Sequence, residues 1–596
     1  MPTDCETNVL CQITNIKTDI ARLYDRTDDI NDLLVTCCDE DTTTPPVGGG
    51  GTLARTISTQ AELETARQAG GKWYVIALVP LTHTFKLDKP LQLIGFSLDG
   101  TKVGFSLNYS PGEISSDAEG TRGSGRDMFR PFVGRCEFRN LYFTMNHPLV
   151  TGFSPNPTPG QPDLINDSGA AIAVYGITDT NIDLGDIIVD NCEFNQCPAC
   201  VFRSADNRSN PTIAVPMKRL RITNNYCHDF FAGIYLNGAI ENALIENNVC
   251  ICVDKIPRTA RSVQNTVLVG STITPSDFLD KGIYLANGAE RTIISKNKVS
   301  WTPGLAIEVF NYHITLQQQC QIINNICNDC LFGISAVGNE SLLVHGNSIL
   351  RAHGIGIEII QYKGDPLLPQ YANKAEYIVS NNSIKDTLPG HNPYVFGPDQ
   401  NVCGIYVNCV ETNTLICNNQ IHKVSPSLGF EGIGIQIIGR TVPPHQLYIT
   451  GGESITIIGN RFTDTGSKGV WINGTTAAVL PEEEIYRFIN IEGNTFVYTA
   501  AYAAAWPETY QFFPSILVRH PVGSVVVRNN TSLIPNALWA VKNYGTYFFQ
   551  GKGRVYCGES YEGPIDSSLG DGDTVFTTLG QEEALPIGGS NIRIPY

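Results

Sequence analysis

The chain is short of charge, of basic residues and of long apolar runs, and each shortage excludes something. Only 17% of its 596 residues are charged, and 41 Lys plus Arg against 58 Asp plus Glu leave a net charge of −17. No basic stripe offsets that balance, which argues against a protein that tracks nucleic-acid phosphates. No run approaches the roughly 18 consecutive apolar residues of a membrane-spanning helix, and the best stretch, Trp73 to Leu81, is half that length, so no membrane insertion is expected. The opening Met1-Pro2-Thr3-Asp4-Cys5-Glu6 is acidic and lacks an apolar core, so no secretory signal is expected.

What is plentiful is glycine. Fifty-six Gly with so little charge fit a chain that turns constantly between short strands, and point to an all-β protein. One stretch differs. Between residues 9 and 34, Val9, Ile13, Ile16, Ile20, Leu23, Ile30 and Leu34 recur in steps of four and three, broken at Thr27. Isoleucine at both seam positions of such heptads favours three or more strands, so residues 1–41 are expected to form a trimeric coiled coil and attachment segment. Residues 42–55, with Pro45-Pro46 and Gly48 to Gly51, read as a linker. Residues 57–70 carry a Ser/Thr start and a Gly stop, which predicts a short capping helix.

From about residue 90 one pattern returns. Two or three alternating residues precede an Asn, and an apolar or small residue follows two places on, at Asn191, Asn225, Asn248, Asn297, Asn325, Asn347, Asn382, Asn419, Asn460, Asn494 and Asn530. The shortest intervals cluster near 22 residues, too short for a helix pair but enough for one turn of a β-solenoid. Asparagine suits the corner because it tolerates a left-handed backbone and its amide can pair with those above and below. A second signature, Gly followed by alternating apolar residues, lies between the corners, as in Gly233-Ile234-Tyr235-Leu236 and Gly404-Ile405-Tyr406-Val407.

These eleven corners resemble the right-handed parallel β-helix of the pectate-lyase-like superfamily, over about residues 90–535. The layout of helical head, linker, capping helix and long β-helix resembles viral and phage tailspikes. The resemblance implies an all-β, single-stranded parallel β-helix spanning 56–535, with 536–596 as a C-terminal β cap or trimer contact. The paired-Asp and Gly-His-Gly signature of polygalacturonases is missing, and no clear calcium-carboxylate cluster of pectate lyases is evident, so neither activity carries over.

If the Gly-led strands stack in register, side chains at the second and fourth places after Gly form two outward ladders. The second-place ladder reads Tyr235, Tyr284, Ala306, Ser335, Gly356, Tyr406, Gly434 and Trp471; the fourth-place ladder reads Asn237, Ala286, Glu308, Val337, Glu358, Asn408, Gln436 and Asn473. Rings flanking two carboxylates, with amides beyond, are the composition of a carbohydrate groove. Glu308 and Glu358 fall two rungs apart, about 9 to 10 Å between backbones. That suits an inverting glycosidase, with its acid and base about 6.5 to 9.5 Å apart, better than a retaining one. The sequence does not say which glutamate is the acid. Arg351 and His353 precede the Glu358 strand, and His353 is taken as a possible site member.

The 18 Cys read as buried packing residues, because Cys227, Cys250 and Cys327 occupy the inward place where other rungs have Val299, Ile349, Ile384 and Ile421. No metal or cofactor is expected. Cys37-Cys38 is a candidate staple between chains in an oxidising medium. The expected partners are a host-surface glycan, two further copies of the chain and a virion attachment protein at the N-terminus. The expected place is the virion surface. The alternatives are a non-catalytic receptor-binding or structural spike and a secreted polysaccharide lyase or hydrolase.

Overall fold

The computed structural model describes residues 55–578, apart from positions 98, 198, 231, 239, 303 and 467 and the segments 109–126, 146–169, 176–181, 205–215, 252–280, 287–288, 311–318, 339–340, 361–374, 389–401, 409–411, 426–431, 439–453, 474–487, 500–514, 520–523, 534–546, 551–552 and 558–573. The heptad segment and the linker therefore lie outside the described residues, as do Cys37-Cys38 and most of the chain after 557.

The helix spans Gln60–Ala69. Thr59 caps it, Glu62 reaches back to complete the capping box, and Gly70 ends it at φ 71°. Leu63 and Ala66 bury its inner face. After it the chain coils. Ser341–His345, Ser348–Leu350 and Ile355–Ile360 make one turn, stacked on the preceding turn of Gln319–Ile323, Ile326–Asn328 and Phe332–Val337. Each turn gives one strand to each of three long sheets, of 17, 14 and 14 strands among the described residues. All the pairings are parallel and in register, as in a parallel β-helix. Tyr547–Gln550, Gly553–Cys557 and Thr574–Thr578 extend the same sheets beyond residue 535.

The corner asparagines form a continuous ladder from Asn225 to Asn530. Each Nδ2 donates to the Oδ1 of the next at 2.9 to 3.0 Å, and that same Oδ1 accepts the backbone N–H. The sequence reading gave one residue two jobs that the structure divides. The left-handed backbone belongs to the residue before, such as Asn224, Asn247, Asn324, Gly346, Asn381 or Gly459, while the ladder Asn carries the amide pairing. Asn191 is such a left-handed residue, and Cys192 holds the ladder position beside it, donating its N–H to Asn225. Adjacent asparagines look alike in sequence, and only the pairing separates them.

Two places after each ladder Asn from Asn225 to Asn494, Cys227, Cys250, Val299, Cys327, Ile349, Ile384, Ile421, Phe462 and Phe496 stack in one buried column. Burial pushes the thiols up, those of Cys320 and Cys327 to about 12. At pH 8 the ten buried cysteines Cys136, Cys192, Cys197, Cys200, Cys227, Cys250, Cys320, Cys327, Cys330 and Cys403 are expected to resist iodoacetamide in the folded protein and to label on unfolding. Peptide mapping by mass spectrometry checks this. Native-state labelling of Cys227 or Cys327 would contradict the packing.

Candidate functional site

The glycine-led strands all enter one 14-stranded sheet, and their glycines are kinks. At Gly356 an added Cβ would lie 2.5 Å from the Gly404 carbonyl oxygen and 2.7 Å from Ile384 Cγ2, so no side chain fits. Gly356 and Ile357 thus both face the core, and the usual alternation shifts by one. The residue before the glycine and the second after it then share the outer face. Ala232 and Tyr235, for example, pack in a cluster apart from the main core, whereas Ile234 and Leu236 belong to that core.

That kink corrects the expected ladders. The core column is Ile283, Ile307, Ile334, Ile357, Ile405, Ile435 and Val470. The kink therefore falls at Ala306, Gly356 and Gly434, not at Gly304, Gly354 and Gly432. The two expected ladders merge into one outer column: Phe202, Tyr235, Tyr284, Glu308, Ser335, Glu358, Tyr406, Gln436 and Trp471, one per rung. Of the ten candidate site residues, Glu308, Glu358, Tyr235, Tyr284, Tyr406, Trp471, Gln436, Asn408, Asn473 and His353, the first seven are thereby brought into one line.

The other three are elsewhere. Asn408 and Asn473 lie in register two residues further along, in a row that also holds Asn237, Ala286, Phe310, Val337, Ile360 and Ile438, so no continuous run of amides forms. His353 lies in the bend before its strand, its N–H donating to the Cys330 carbonyl at 2.8 Å. Arg351 is a left-handed corner residue paired with Asp329 at 2.6 and 2.7 Å.

Two features differ from an open groove. From Tyr235 to Gln436 the column's side chains are only 1% to 8% exposed, so it faces away from the core without lying bare. The rings at its N-terminal end also pack on one another, Phe202–Tyr235 stacked with centroids 5.3 Å apart and Tyr235–Tyr284 tilted by 33° with centroids 4.6 Å apart. Parallel in-register strands set neighbouring rings about 4.8 Å apart, close enough to cover each other's faces.

The carboxylates sit between two apolar clusters, one around Phe202, Tyr235 and Tyr284, the other around Phe332, Ile355 and Tyr406. Their surroundings differ. Glu308 forms an ion pair with Lys281, whose Nζ also lies 4.0 Å from the Tyr284 ring centroid. Glu358 accepts a hydrogen bond from Ser335 Oγ at 2.6 Å. Burial pushes its carboxyl up to about 7, with the Glu308 charge adding to the rise and the Ser335 bond opposing it. The pair thus contains a carboxyl able to hold a proton near neutrality and a carboxylate beside a cation.

Lys281 was missed from sequence. Its signal is the parallel between Lys281-Gly282-Ile283-Tyr284 and Lys468-Gly469-Val470-Trp471, since Lys468 Nζ also lies over its ring, 5.1 Å from the Trp471 centroid.

Sheets, kinks and Asn ladder together define a right-handed parallel β-helix protein. The family model described as "Right handed beta helix region" matches residues 259–442. A comparison with curated proteins finds no match. Among solved structures, the catalytic unit of an α-1,3-glucanase from Streptomyces thermodiastaticus is similar at 12% identity, over 83% of this chain and 72% of that one, with a TM-score of 0.44. The N-terminal fragment of bacteriophage Phi29 gene product 12 is similar at 11% identity, over 84% and 80%, with a TM-score of 0.40. DFA-IIIase from Arthrobacter chlorophenolicus is similar at 10% identity, over 74% and 97%, with a TM-score of 0.32.

Proposed function

We propose that this chain is a virion spike that binds a host-surface polysaccharide and hydrolyses it with inversion, Glu358 serving as general acid and Glu308 as general base. The observation that carries this reading is the Glu308–Ser335–Glu358 column, in which two carboxyl groups two rungs apart have unlike surroundings. An inverting hydrolase needs that pairing: a protonated acid for the leaving oxygen and a carboxylate that activates water on the opposite face of the sugar. About 9 to 10 Å between the backbones leaves room for that water. Because Tyr235 and Tyr284 pack against each other, their contribution to sugar binding is assigned to the phenol edges. Ring stacking is assigned to Trp471, which is partly exposed. The heptads of residues 9–34 support a homotrimer joined to the particle by its N-terminal segment.

Low exposure along the column and the stacked rings favour a second reading, a receptor-binding spike without turnover. Incubation with purified surface polysaccharides, followed by NMR of newly released reducing ends, separates the two. Hydrolysis is expected to give the inverted anomer first. A retained anomer would refute the assigned mechanism, binding without product would favour the second reading, and neither binding nor product would refute both.

A further inference from the structure

We propose that Lys281 is a positioning residue that decides which of the two glutamates carries the proton; this deepens, and rests on, the hydrolase reading above. The kink at Gly282 turns Lys281 to the outer face with Tyr284, three residues on. Its register neighbour on the preceding rung is Ala232, and the corresponding places on later rungs hold Leu305, Phe332, Ile355, Cys403, Ile433 and Lys468. A lysine this buried, its side chain 10% exposed and its nearest row neighbours apolar, is stable only with a counter-charge, and Glu308 of the next rung supplies it. The Tyr284 ring bounds the ammonium on another side, so Lys281 has little freedom to leave.

Among the described residues, the groups that face Glu308 are Lys281 and Tyr284 from the preceding rung, Ser335 from the next and Glu358 from the one beyond. Of these only Lys281 is cationic. With it in place, the cation lies against Glu308, while Glu358 has the Ser335 hydroxyl instead. Without it, two carboxyl groups in a dry column compete for one proton, and the division into base and acid weakens.

The test follows each carboxyl directly. Protein labelled with ¹³C at glutamate side-chain carboxyls is titrated by NMR as wild type and as Lys281→Met, the two signals being assigned with Glu308→Gln and Glu358→Gln. In Lys281→Met the Glu308 signal is expected to move to higher pH than in wild type, because the paired cation is gone, and Lys281→Arg to restore it. The acid limb of the kcat/KM profile is expected to move up with it, lowering kcat at the acid end of the profile at unchanged KM. A Glu308 signal titrating at the same pH with and without Lys281 would overturn the proposal. If the wild type hydrolyses nothing, the hydrolase reading falls, but the titration still decides whether Lys281 governs the charge on Glu308. Should Lys281→Met not fold, Lys281→Gln, which keeps a neutral donor beside Glu308, takes its place in the titration.

Discussion

Glu358→Gln is expected to lose hydrolysis by about 10²- to 10⁴-fold while making the protein more stable at alkaline pH. The loss follows from the role of a general acid, which contributes about that much to rate. In the wild type the acid works while protonated, so activity should fall as pH rises through about 7. The gain follows from linkage. The Glu358 carboxyl ionises at about 7 in the folded chain, against about 4.3 in an unfolded one, so the folded state holds its proton more tightly. Burial of this group is therefore harmless below about pH 4, increasingly unfavourable as pH rises between the two values, and constant in cost above about 7. The difference is worth about 4 kcal/mol at alkaline pH. Glutamine cannot ionise, and its carbonyl can still accept from Ser335. Thermal unfolding of both proteins at pH 5 and pH 8 should show a stabilisation of the variant that is larger at pH 8. Retained hydrolysis would remove Glu358 from the reaction, and an equal melting shift at both pH values would mean that the carboxyl is not held protonated.

Asn347→Ala should have the largest effect on the solenoid itself. The Asn347 side chain accepts from both the N–H and the Nδ2 of Asn325, and donates to the Ile322 carbonyl and to Asn382. All of these bonds are buried, so alanine leaves two donors of Asn325 and one carbonyl without that partner where water does not replace it. At about 1 to 3 kcal/mol for each unsatisfied buried group, the cost should exceed about 3 kcal/mol. At the ladder's end, Asn530→Ala removes bonds that are only part-buried, and water can substitute for them, so a loss of about 1 kcal/mol or less is expected. Because a solenoid's turns mainly contact their neighbours, hydrogen exchange should quicken first in the rungs of Asn325 and Asn382. Equal destabilisation by the two variants would show that the ladder does not gain its strength from burial.

The fold was legible because its rules are local and repeated. A corner Asn, an apolar residue two places on and a glycine-led strand recur often enough for the pattern to exceed chance, even with insertions between turns. The two-rung separation of Glu308 and Glu358 was legible for the same reason, since counting turns needs only the corners. The make-up of the outer column was not. Leu305, Phe332 and Ile355 read as ordinary alternating strand residues, yet the kink sets them on the outer face beside the carboxylates.

The amino-acid sequence by itself determined that this chain coils, where most of its corners fall and which residues fill the core column beside the Asn ladder, because periodic burial and hydrogen bonding are written into each turn. Only the tertiary structure decided which of two nearby glycines is the kink. Gly354 and Gly356 are equivalent by pattern, and the choice is made by the Gly404 carbonyl and Ile384 side chain of the next turn pressing on Gly356. From that choice follow the single column of Tyr284, Glu308, Ser335 and Glu358 and the meeting of Lys281 with Glu308. Contacts between turns that lie far apart in sequence fix both, and no local preference encodes them.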